Sequence, residues 1–407
     1  MQAQAATEKD RCYRFAKRVK TLRASEIREI LKVTQRKEII SFAGGLPAPE
    51  LFPVEEMKAA SIRVMEERGR EALQYSGTEG YLPLRQKIAE RMNRKFKTDF
   101  CAEQLLIPNG SQQALDFIGK LFLDEGDVVL WESPTYLAAI SAFRAYGPRF
   151  VEVPTDEGGM ELDALEKILK TTPQVKLIYV IPDFQNPTGK TWPVERRRKF
   201  IELTNRYEIP VVEDNPYGEL RFENEIPPSL QSFDCKQLVI CLGTFSKTFS
   251  PGLRIGWIAA SDPIIEGCVM IKQAADLCTS LKLQMELCSY METCDFEAQI
   301  GKIIKVYRSR RDVMLETLAE TMPEGVTYTR PEGGLFLWME LPAKINTMTL
   351  LQECLKEEVA FVPGEPFYPN GGITNRLRLN YSNMPEERIR EGIRRIAAVI
   401  RRNMLHS

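Results

Sequence analysis

Short apolar runs alternate with helical segments through the middle of the chain. Each run is continuous and is followed by a polar or glycine-bearing loop; the runs are residues 105–107, 128–130, 177–181, 211–212, 238–240 and 257–260. Continuous apolar strands are typical of a sheet that is buried on both faces, so the pattern predicts an α/β fold with a mostly parallel sheet flanked by helices. Ligands of such sheets bind at the loops beyond the carboxyl ends of the strands.

Ahead of this region, helices are predicted. Ser25 opens a helix that carries Ile27, Ile30 and Leu31 at helical spacing, with Arg28 on another face. A helix, a loop and a second helix then follow before the first strand.

Beyond the strand region, residues 263–321 are predicted as a long helical region. Residues 328–338 and 376–381 have the pattern of strands of a smaller α+β domain, and a final helix carries a stripe of isoleucines. We therefore divide the chain into an N-terminal lid helix and loop that join the small domain, a large domain and a small C-terminal domain, at residues 1–52, 53–310 and 311–407.

Composition excludes several classes of protein. The 407 residues carry a formal net charge of −1, so the clustered positive charge of nucleic-acid binding is not expected. The nine cysteines form no CxxC pair and the single histidine is His406, so metal sites and histidine-dependent catalysis lack their usual residues. No apolar run approaches a membrane span and residues 1–10 lack the apolar core of a secretory signal, which predicts a soluble protein of the cytoplasm.

A lysine interrupts the strand region. Residues 238–257 form an apolar strand, a small polar loop and a second apolar run, and Lys247 lies in the loop. A lysine shielded from bulk water at the mouth of a sheet can lose its proton and attack a carbonyl. Ser246 and Arg254 on the same loop suit a phosphate, so the loop indicates an aldehyde cofactor that carries one. The alternative is a surface lysine on an ordinary turn.

Polar groups follow several other predicted strands. Residues 109–116 open a helix whose free amides, with the Ser111 hydroxyl, either seat a phosphate or serve as an ordinary cap. Tyr136 ends the loop after the next strand, where it either lies on a ring or packs in the core. Asn186 precedes a proline in a segment that is also a good turn.

The acid Asp214 lies at the end of the buried strand predicted at residues 211–212. A buried carboxylate needs a cation, because desolvation is otherwise costly, and a protonated pyridine nitrogen would supply one. Tyr217 could reach the phenolic oxygen of the same ring. The alternative for this pair is a capping aspartate and a packed tyrosine.

Gly45 lies in a loop with two glycines and two prolines, which either approaches a ligand closely or is a plain turn.

Together these segments resemble the fold type I pyridoxal-phosphate aminotransferases of class I/II. The resemblance runs from about Ser25 to the C-terminal helix, and residues 244–256, Thr-Phe-Ser-Lys-Thr-Phe-Ser-Pro-Gly-Leu-Arg-Ile-Gly, are its most specific part. Residues 41–53 and 73–76 are most similar to the 2-aminoadipate aminotransferases and the related kynurenine and aromatic aminotransferases. The resemblance implies a seven-stranded sheet, pyridoxal 5′-phosphate as cofactor, and a homodimer with shared active sites.

The resemblance also implies roles for individual residues. Lys247 would attach the cofactor and shuttle a proton, Asp214 would keep the ring nitrogen protonated, and Tyr217 would bind the phenolic oxygen. The other residues implied to bind the cofactor are Gly110, Ser111, Gln112, Tyr136, Asn186, Ser246, Arg254, and Tyr75, which would reach the phosphate of the neighbouring subunit. Arg378 would clamp the α-carboxylate of the substrate, assisted by Asn186 and Gly45.

Substrate choice is expected to rest on the N-terminal helix. The sequence Ser-Glu-Ile-Arg-Glu at residues 25–29 matches a family pattern in which the arginine, here Arg28, reads the distal carboxylate of a dicarboxylic substrate. Gly77 is a departure, because some members of the family carry proline there. We expect transfer of an amino group from a 2-aminoadipate- or glutamate-like amino acid to a 2-oxo acid such as 2-oxoglutarate, with aromatic and leucine side chains also accepted.

The residues leave two other functions open. A β-lyase or a decarboxylating enzyme of the same fold would share the cofactor site. The effector-binding half of a transcription regulator also shares this fold, but such regulators carry a winged-helix domain ahead of it, and only about two dozen residues precede Ser25.

Overall fold

The computed structural model describes residues 13–21, 36 and 38–405. Its helices, numbered in chain order, are α1 (Lys17–Thr21), α2 (Val54–Ala72), α3 (Leu82–Phe96), α4 (Ser111–Phe122), α5 (Leu137–Arg144), α6 (Leu162–Thr171), α7 (Val194–Tyr207), α8 (Asp262–Ala275), α9 (Leu281–Thr293), α10 (Phe296–Thr321), α11 (Thr347–Lys356) and α12 (Glu386–Leu405). Its strands are β1 (Ile40–Ser41), β2 (Leu105–Leu106), β3 (Val128–Glu132), β4 (Arg149–Val153), β5 (Thr155–Asp156), β6 (Gly159–Met160), β7 (Val175–Val180), β8 (Val211–Asp214), β9 (Val239–Thr244), β10 (Gly256–Ala259), β11 (Thr327–Tyr328), β12 (Phe336–Glu340), β13 (Val359–Ala360), β14 (Val362–Pro363) and β15 (Arg376–Asn380).

A seven-stranded sheet with the order β2-β10-β9-β8-β7-β3-β4 forms the centre of the larger part of the chain. Strands β9, β8, β7, β3 and β4 run parallel, whereas β10 is antiparallel to both of its neighbours. Helices α5, α6 and α7 lie between consecutive parallel strands of the chain. The predicted mostly parallel α/β fold is therefore confirmed.

Helices cover both faces of this sheet. On one face, residues such as Ile178 and Val211 pack with side chains of α3, α7 and α9. On the other face, their neighbours Leu177 and Val212 pack with α4, α5 and α8. Because successive side chains of a strand point to opposite faces, the continuous apolar runs in the sequence follow directly from this double burial.

A smaller antiparallel sheet, with the order β11-β12-β15-β14, shares a second hydrophobic core with α10, α11 and α12. The strand pattern predicted across residues 328–338 is interrupted between β11 and β12. A Cβ on Gly333 would lie 2.3 Å from Leu220 O, and Gly334 has a φ of +73°, so the chain turns closely against the segment that follows β8. The predicted helical region at 263–321 consists of α8, α9 and α10.

Helix α10 contributes to both hydrophobic cores. Phe296 and Ile300 belong to the core of the large sheet, and Tyr307 and Met314 belong to that of the small sheet. The division predicted between residues 310 and 311 falls inside this helix and stays a prediction. Across the described ranges, no helix has both the length and the apolar character that a membrane span requires.

Candidate active site

Lys247 lies in the loop between β9 and β10. Ser246 N donates to Thr244 Oγ1 at 3.1 Å, which turns the chain immediately after β9. The Lys247 amine then donates to Gly45 O at 2.8 Å. Burial, followed by the positive charges of Arg378 and Arg254, lowers the pKa of Lys247 to about 8. A substantial fraction of the amine is therefore neutral near that pH, which is the form that attacks a carbonyl.

Groups that suit an anion lie together where α4 begins. Gly110 precedes the helix with a φ of +78°, and a Cβ there would lie 2.6 Å from Arg254 Nη2. Only glycine permits this approach. Arg254 Nη2 also donates to Asn109 O at 3.3 Å. The free amides at Ser111 and the next residue, the helix dipole and the guanidinium together suit a phosphate.

An ion pair between a buried lysine and a partly exposed aspartate supports this site. Asp276 Oδ2 accepts hydrogen bonds from Asn109 Nδ2 at 2.6 Å and from Gln113 Nε2 at 2.7 Å. Lys272, whose side chain is fully buried, donates to Asp276 Oδ1 at 2.8 Å. The contacts of Asn109 and Gln113 join the loop before α4 and the first turn of α4 to the end of α8, and Lys272 holds the Asp276 carboxylate in place.

Asp214 lies at the carboxyl end of β8 and is buried. The Tyr179 hydroxyl donates to Asp214 Oδ2 at 2.6 Å, whereas Oδ1 is buried and has no hydrogen-bond partner among the residues described. Burial raises the pKa of Asp214 to about 6, and the Tyr179 hydrogen bond opposes that rise. One carboxylate oxygen is thus left to accept a hydrogen bond from a ligand.

The preceding acid, Glu213, belongs to the other face of the sheet. Ser229 Oγ donates to it at 2.5 Å and Leu230 N donates at 3.1 Å. Because alternate residues of a strand face opposite sides, only Asp214 of the two acids shares a face with Tyr179.

Arg378 on β15 is a buried guanidinium in contact with the large sheet's loops. Nη1 donates to Asn186 Oδ1 at 2.8 Å and Nη2 donates to Ala43 O at 2.7 Å. Asn186 Nδ2 in turn donates to the Tyr217 hydroxyl at 3.4 Å. Burial lowers the pKa of Arg378 to about 10, and its Nε has no hydrogen-bond partner in the part of the chain that is described.

Two phenylalanines enclose this guanidinium. Arg378 Cζ lies 4.1 Å from the ring centre of Phe336 and 5.1 Å from that of Phe367. Phe336 also meets the Tyr217 ring edge-on at 5.7 Å, and a Cβ on Gly45 would lie 2.8 Å from its Cζ. The aromatic contacts therefore hold the arginine, the tyrosine and the glycine loop together.

Tyr136 completes the group from the start of α5. Burial, followed by the negative charge of Asp214, raises the pKa of Tyr136 to about 12, and the charges of Arg378 and Arg254 oppose the rise. The hydroxyl is therefore near one acid and two cations of the same site. Predicted residues from six loops and from β15 are brought together near the carboxyl ends of β2, β3, β7, β8 and β9.

The described residues do not show the predicted contacts of Tyr75 and Gln112. Tyr75 is 77% exposed and lies in the loop after α2. The side chain of Gln112 donates to Ala138 O at 3.3 Å, so its backbone amide is what faces the start of the helix. Arg28 lies outside the described residues.

Residues that sequence reasoning missed are mainly aromatic. Tyr179, Phe336 and Phe367 are apolar or amphipathic side chains inside predicted strands or loops, where packing alone explains them. A partial signal for Tyr179 exists, because it lies on a strand whose end leads into the Asn186 loop. Within the described ranges, no cluster of three or more His, Cys, Asp or Glu side chains could hold a metal ion.

Pyridoxal 5′-phosphate fits these residues. Two buried polar atoms, Asp214 Oδ1 and Arg378 Nε, lack partners among the described residues, and they suit a protonated ring nitrogen and a substrate carboxylate. The half-buried Lys247 amine suits an aldehyde, and the start of α4 suits a phosphate. The fold and the site together define a fold type I pyridoxal-phosphate-dependent enzyme.

Comparisons with known proteins show which family of this enzyme class the chain resembles. The family model for aminotransferases of class I and II matches residues 24–396. A 2-aminoadipate transaminase of Thermus thermophilus is 46% identical over 95% of this chain and 96% of the relative. An aromatic-amino-acid aminotransferase of Thermococcus litoralis is 45% identical over 96% of this chain and 94% of the relative. A crystal structure of a kynurenine aminotransferase of Pyrococcus horikoshii is 42% identical, covers 98% of each chain and has a TM-score of 0.93.

The chain belongs to the class I and II aminotransferase family. It is a pyridoxal-phosphate-dependent aminotransferase that acts on amino acids.

Proposed function

We propose that the protein transfers an amino group from a 2-aminoadipate- or glutamate-like amino acid to a 2-oxo acid such as 2-oxoglutarate, and that it also accepts aromatic and leucine side chains. The observation that carries the proposal is Arg378, a buried guanidinium whose Nε has no partner among the described residues. Such a planar cation pairs with a carboxylate through two parallel hydrogen bonds. Amino acids and 2-oxo acids both carry an α-carboxylate, so one clamp serves both substrates.

The strand-end residues would hold the cofactor. Asp214 Oδ1 would accept a hydrogen bond from the ring nitrogen, Asn186 and Tyr217 would bind the phenolic oxygen, and Tyr136 would lie on the ring face. The groups proposed to surround the phosphate belong to Gly110, Ser111, Gln112, Ser246 and Arg254. When bound, pyridoxal phosphate supplies an electron sink that stabilises negative charge at the substrate Cα.

Lys247 would both attach the cofactor and move a proton. Its pKa of about 8 supports this role, because a general base is most useful when it titrates near the working pH. The Gly45 carbonyl accepts a hydrogen bond from Nζ at 2.8 Å and orients the amine toward the Gly45 loop, which packs against Phe336.

Arg28 would read the far end of a dicarboxylic substrate. The support is the sequence pattern at residues 25–29 and the activity for which the 46% identical relative is named, that of a 2-aminoadipate transaminase. Relatives named for aromatic amino acids and for kynurenine support the proposed tolerance of other side chains.

A substrate panel tests this assignment. We would measure kcat/KM for 2-aminoadipate, glutamate, leucine, kynurenine and phenylalanine, with 2-oxoglutarate as acceptor, in the wild type and in Arg28→Ala. The expected loss is about tenfold or more for the two dicarboxylic substrates, because a charge-assisted contact disappears, and less than about twofold for the others.

The matched control is Arg36→Ala, which removes an exposed arginine that is close in sequence and should leave the panel unchanged. An equal loss for every substrate would show that Arg28 has no part in selecting the side chain. Failure of the wild type to use any of these amino acids would remove the proposed reaction.

We also propose that the protein works as a homodimer in the cytoplasm. Exposed apolar side chains on α2 and the loop that follows support an interface there; the largest exposed fractions are 77% for Tyr75, 69% for Leu73 and 64% for Val54. Tyr75 would complete the phosphate site of the partner molecule.

The division of the chain into an N-terminal segment, a large domain and a small domain, at residues 1–52, 53–310 and 311–407, is retained as a proposal.

A further inference from the structure

We propose that Tyr179 is a positioning residue for the cofactor. Its hydroxyl occupies one oxygen of Asp214 and so leaves the other oxygen to bind the ring nitrogen of pyridoxal 5′-phosphate. The inference rests on the proposed role of Asp214 and extends it to a residue that contacts neither substrate nor cofactor.

The register of two neighbouring strands brings the pair together. Tyr179 on β7 is paired with Val212 on β8, which lies two residues before Asp214. Residues two apart on a strand share a face, so the Tyr179 ring and the Asp214 carboxylate lie on the same side of the sheet. Both side chains are buried, and the hydroxyl reaches Oδ2 at 2.6 Å.

The direction of the hydrogen bond is fixed by the chemistry of the two groups. Burial, followed by the nearby charge of Asp214, raises the pKa of Tyr179 well above its ordinary value, so the hydroxyl stays protonated and donates. The same bond lowers the pKa of Asp214 against the effect of burial. Tyr179 therefore favours the ionised carboxylate, which is the form that binds a protonated ring nitrogen.

Packing holds the tyrosine in this orientation. Its ring centre lies 5.1 Å from that of Trp131 and 6.2 Å from that of Phe143, and the side chain is fully buried. Tyr136 and Tyr217 also face the charge of Asp214, and their pKa values are raised in part by it. Of the three tyrosines, Tyr179 is the one that donates to the carboxylate.

The experiment compares two cofactors in the apoenzyme. Dissociation constants are measured for pyridoxal 5′-phosphate and for its 1-deaza analogue, in which a C–H group replaces the ring nitrogen. Tyr179→Phe should weaken binding of pyridoxal phosphate by about tenfold, because one well-oriented charged contact is disturbed, and leave the analogue within about twofold. Equal weakening of both ligands would overturn the proposal, since a general loss of packing does not distinguish them.

Two further variants sharpen this comparison. Tyr381→Phe is the matched control: it removes another buried hydroxyl, which donates to Gly333 O at 2.6 Å, and should change neither constant. In an Asp214→Asn background, Tyr179→Phe should have no further effect on pyridoxal phosphate. A full additional loss there would show that the tyrosine does not act through Asp214.

If Tyr179→Phe does not fold, 3-fluorotyrosine at position 179 keeps the ring and strengthens the donor. This substitution should change the dissociation constant of pyridoxal phosphate and leave that of the 1-deaza analogue unchanged. An unchanged ratio of the two constants would overturn the proposal. A wild-type apoenzyme that binds neither ligand would instead contradict the proposed cofactor site as a whole.

Discussion

The Lys247 amine is affected by three local influences of one sign. Burial disfavours its charged form, and the cations Arg378 and Arg254 add repulsion. The resulting pKa of about 8 contrasts with about 10.4 for an unperturbed lysine. The residue is thus set for chemistry by its surroundings, and the two cations come from its own loop and from β15.

We expect the rate at which the apoenzyme captures pyridoxal phosphate to follow this titration. The rate should rise with pH as the neutral amine appears and should level off above about pH 8, as measured by the growth of the visible absorption band. Arg378→Leu should move the midpoint to higher pH, because it removes one source of repulsion.

Lys247→Ala serves as the control for capture, and it should show neither the visible band nor turnover. A midpoint near that of an ordinary lysine would contradict the effect of burial and charge. A colourless but fully active Lys247→Ala enzyme would contradict the proposed mechanism itself.

Phe336 should contribute equally to the binding of every amino-acid substrate, because it contacts the arginine proposed to bind their shared α-carboxylate. Phe336→Leu keeps an apolar side chain but removes the ring that faces Arg378 at 4.1 Å. A cation–π contact of about 0.5–2 kcal/mol predicts that KM rises by roughly 2- to 30-fold for all amino acids, with a smaller change in kcat.

Phe222→Leu is a matched control for this change, because Phe222 is also buried and faces Arg311 at 5.3 Å and the Tyr381 ring at 6.2 Å. It should destabilise the fold to a similar degree without raising KM. A rise in KM confined to one substrate would show that Phe336 reads the side chain and not the shared carboxylate.

At the scale of single residues, the sequence identified the polar residues of the site more readily than the aromatic residues that hold them in position. Lys247 and Asp214 stand out because a charged group at the end of an apolar strand is unusual. Phe336 and Tyr179 do not stand out, because their positions are equally suitable for core packing. Their contacts depend on strand register and on the approach of β15, neither of which is encoded in a local pattern.

Among the elements, α4 depends on its neighbour α8. Lys272→Met should leave Asp276 without its ion-pair partner while keeping the buried length of the side chain. We expect a loss of about 1–2 kcal/mol in the free energy of unfolding, because the acid is partly exposed, and a weaker hold on the cofactor phosphate. Denaturant unfolding and the dissociation constant of pyridoxal phosphate measure the two effects.

Lys170→Met is the control for this prediction. It breaks the exposed pair of Lys170 with Glu166, which has the same spacing on α6, and should cost less than about 0.5 kcal/mol. Unchanged cofactor affinity in Lys272→Met would show that the loop before α4 is held by other contacts.

The elements themselves were largely predictable. Long apolar runs identified the sheet, because its two buried faces remove the usual alternation of polar and apolar residues. The break at Gly333 and Gly334 was not predictable, since it arises from the close approach of Leu220 O and the Phe184 ring. The loop is therefore determined by packing against the segments after β7 and β8 and not by its own pattern.

For the whole molecule, the proposed homodimer can be tested by mixing subunits. Tyr75→Ala should weaken cofactor binding in the partner's site by about tenfold, and Lys247→Ala should be inactive. A hybrid of the two variants would contain one site with both Lys247 and Tyr75. When the variants are unfolded and refolded together, activity should therefore exceed that of either variant alone, at a pyridoxal phosphate concentration low enough to leave Tyr75→Ala mostly without cofactor.

Sedimentation of each protein alone provides the control, since both variants should remain dimers. Activity that does not exceed the sum of the separate variants would contradict a shared site. A monomeric wild type would contradict the proposed dimer. Sequence reasoning could suggest this assembly only through resemblance, because an exposed tyrosine in a loop has no pattern that would mark its role.

The alternation of Glu213 and Asp214 makes strand register part of the chemistry. A slip of β8 by one residue against its neighbours would exchange the two carboxylates between the faces of the sheet. The acid now satisfied by Ser229 and Leu230 would then meet Tyr179, and the acid with a free oxygen would be withdrawn. A change that shifted the register of β8 by one residue would therefore inactivate the enzyme although every reactive residue is still encoded.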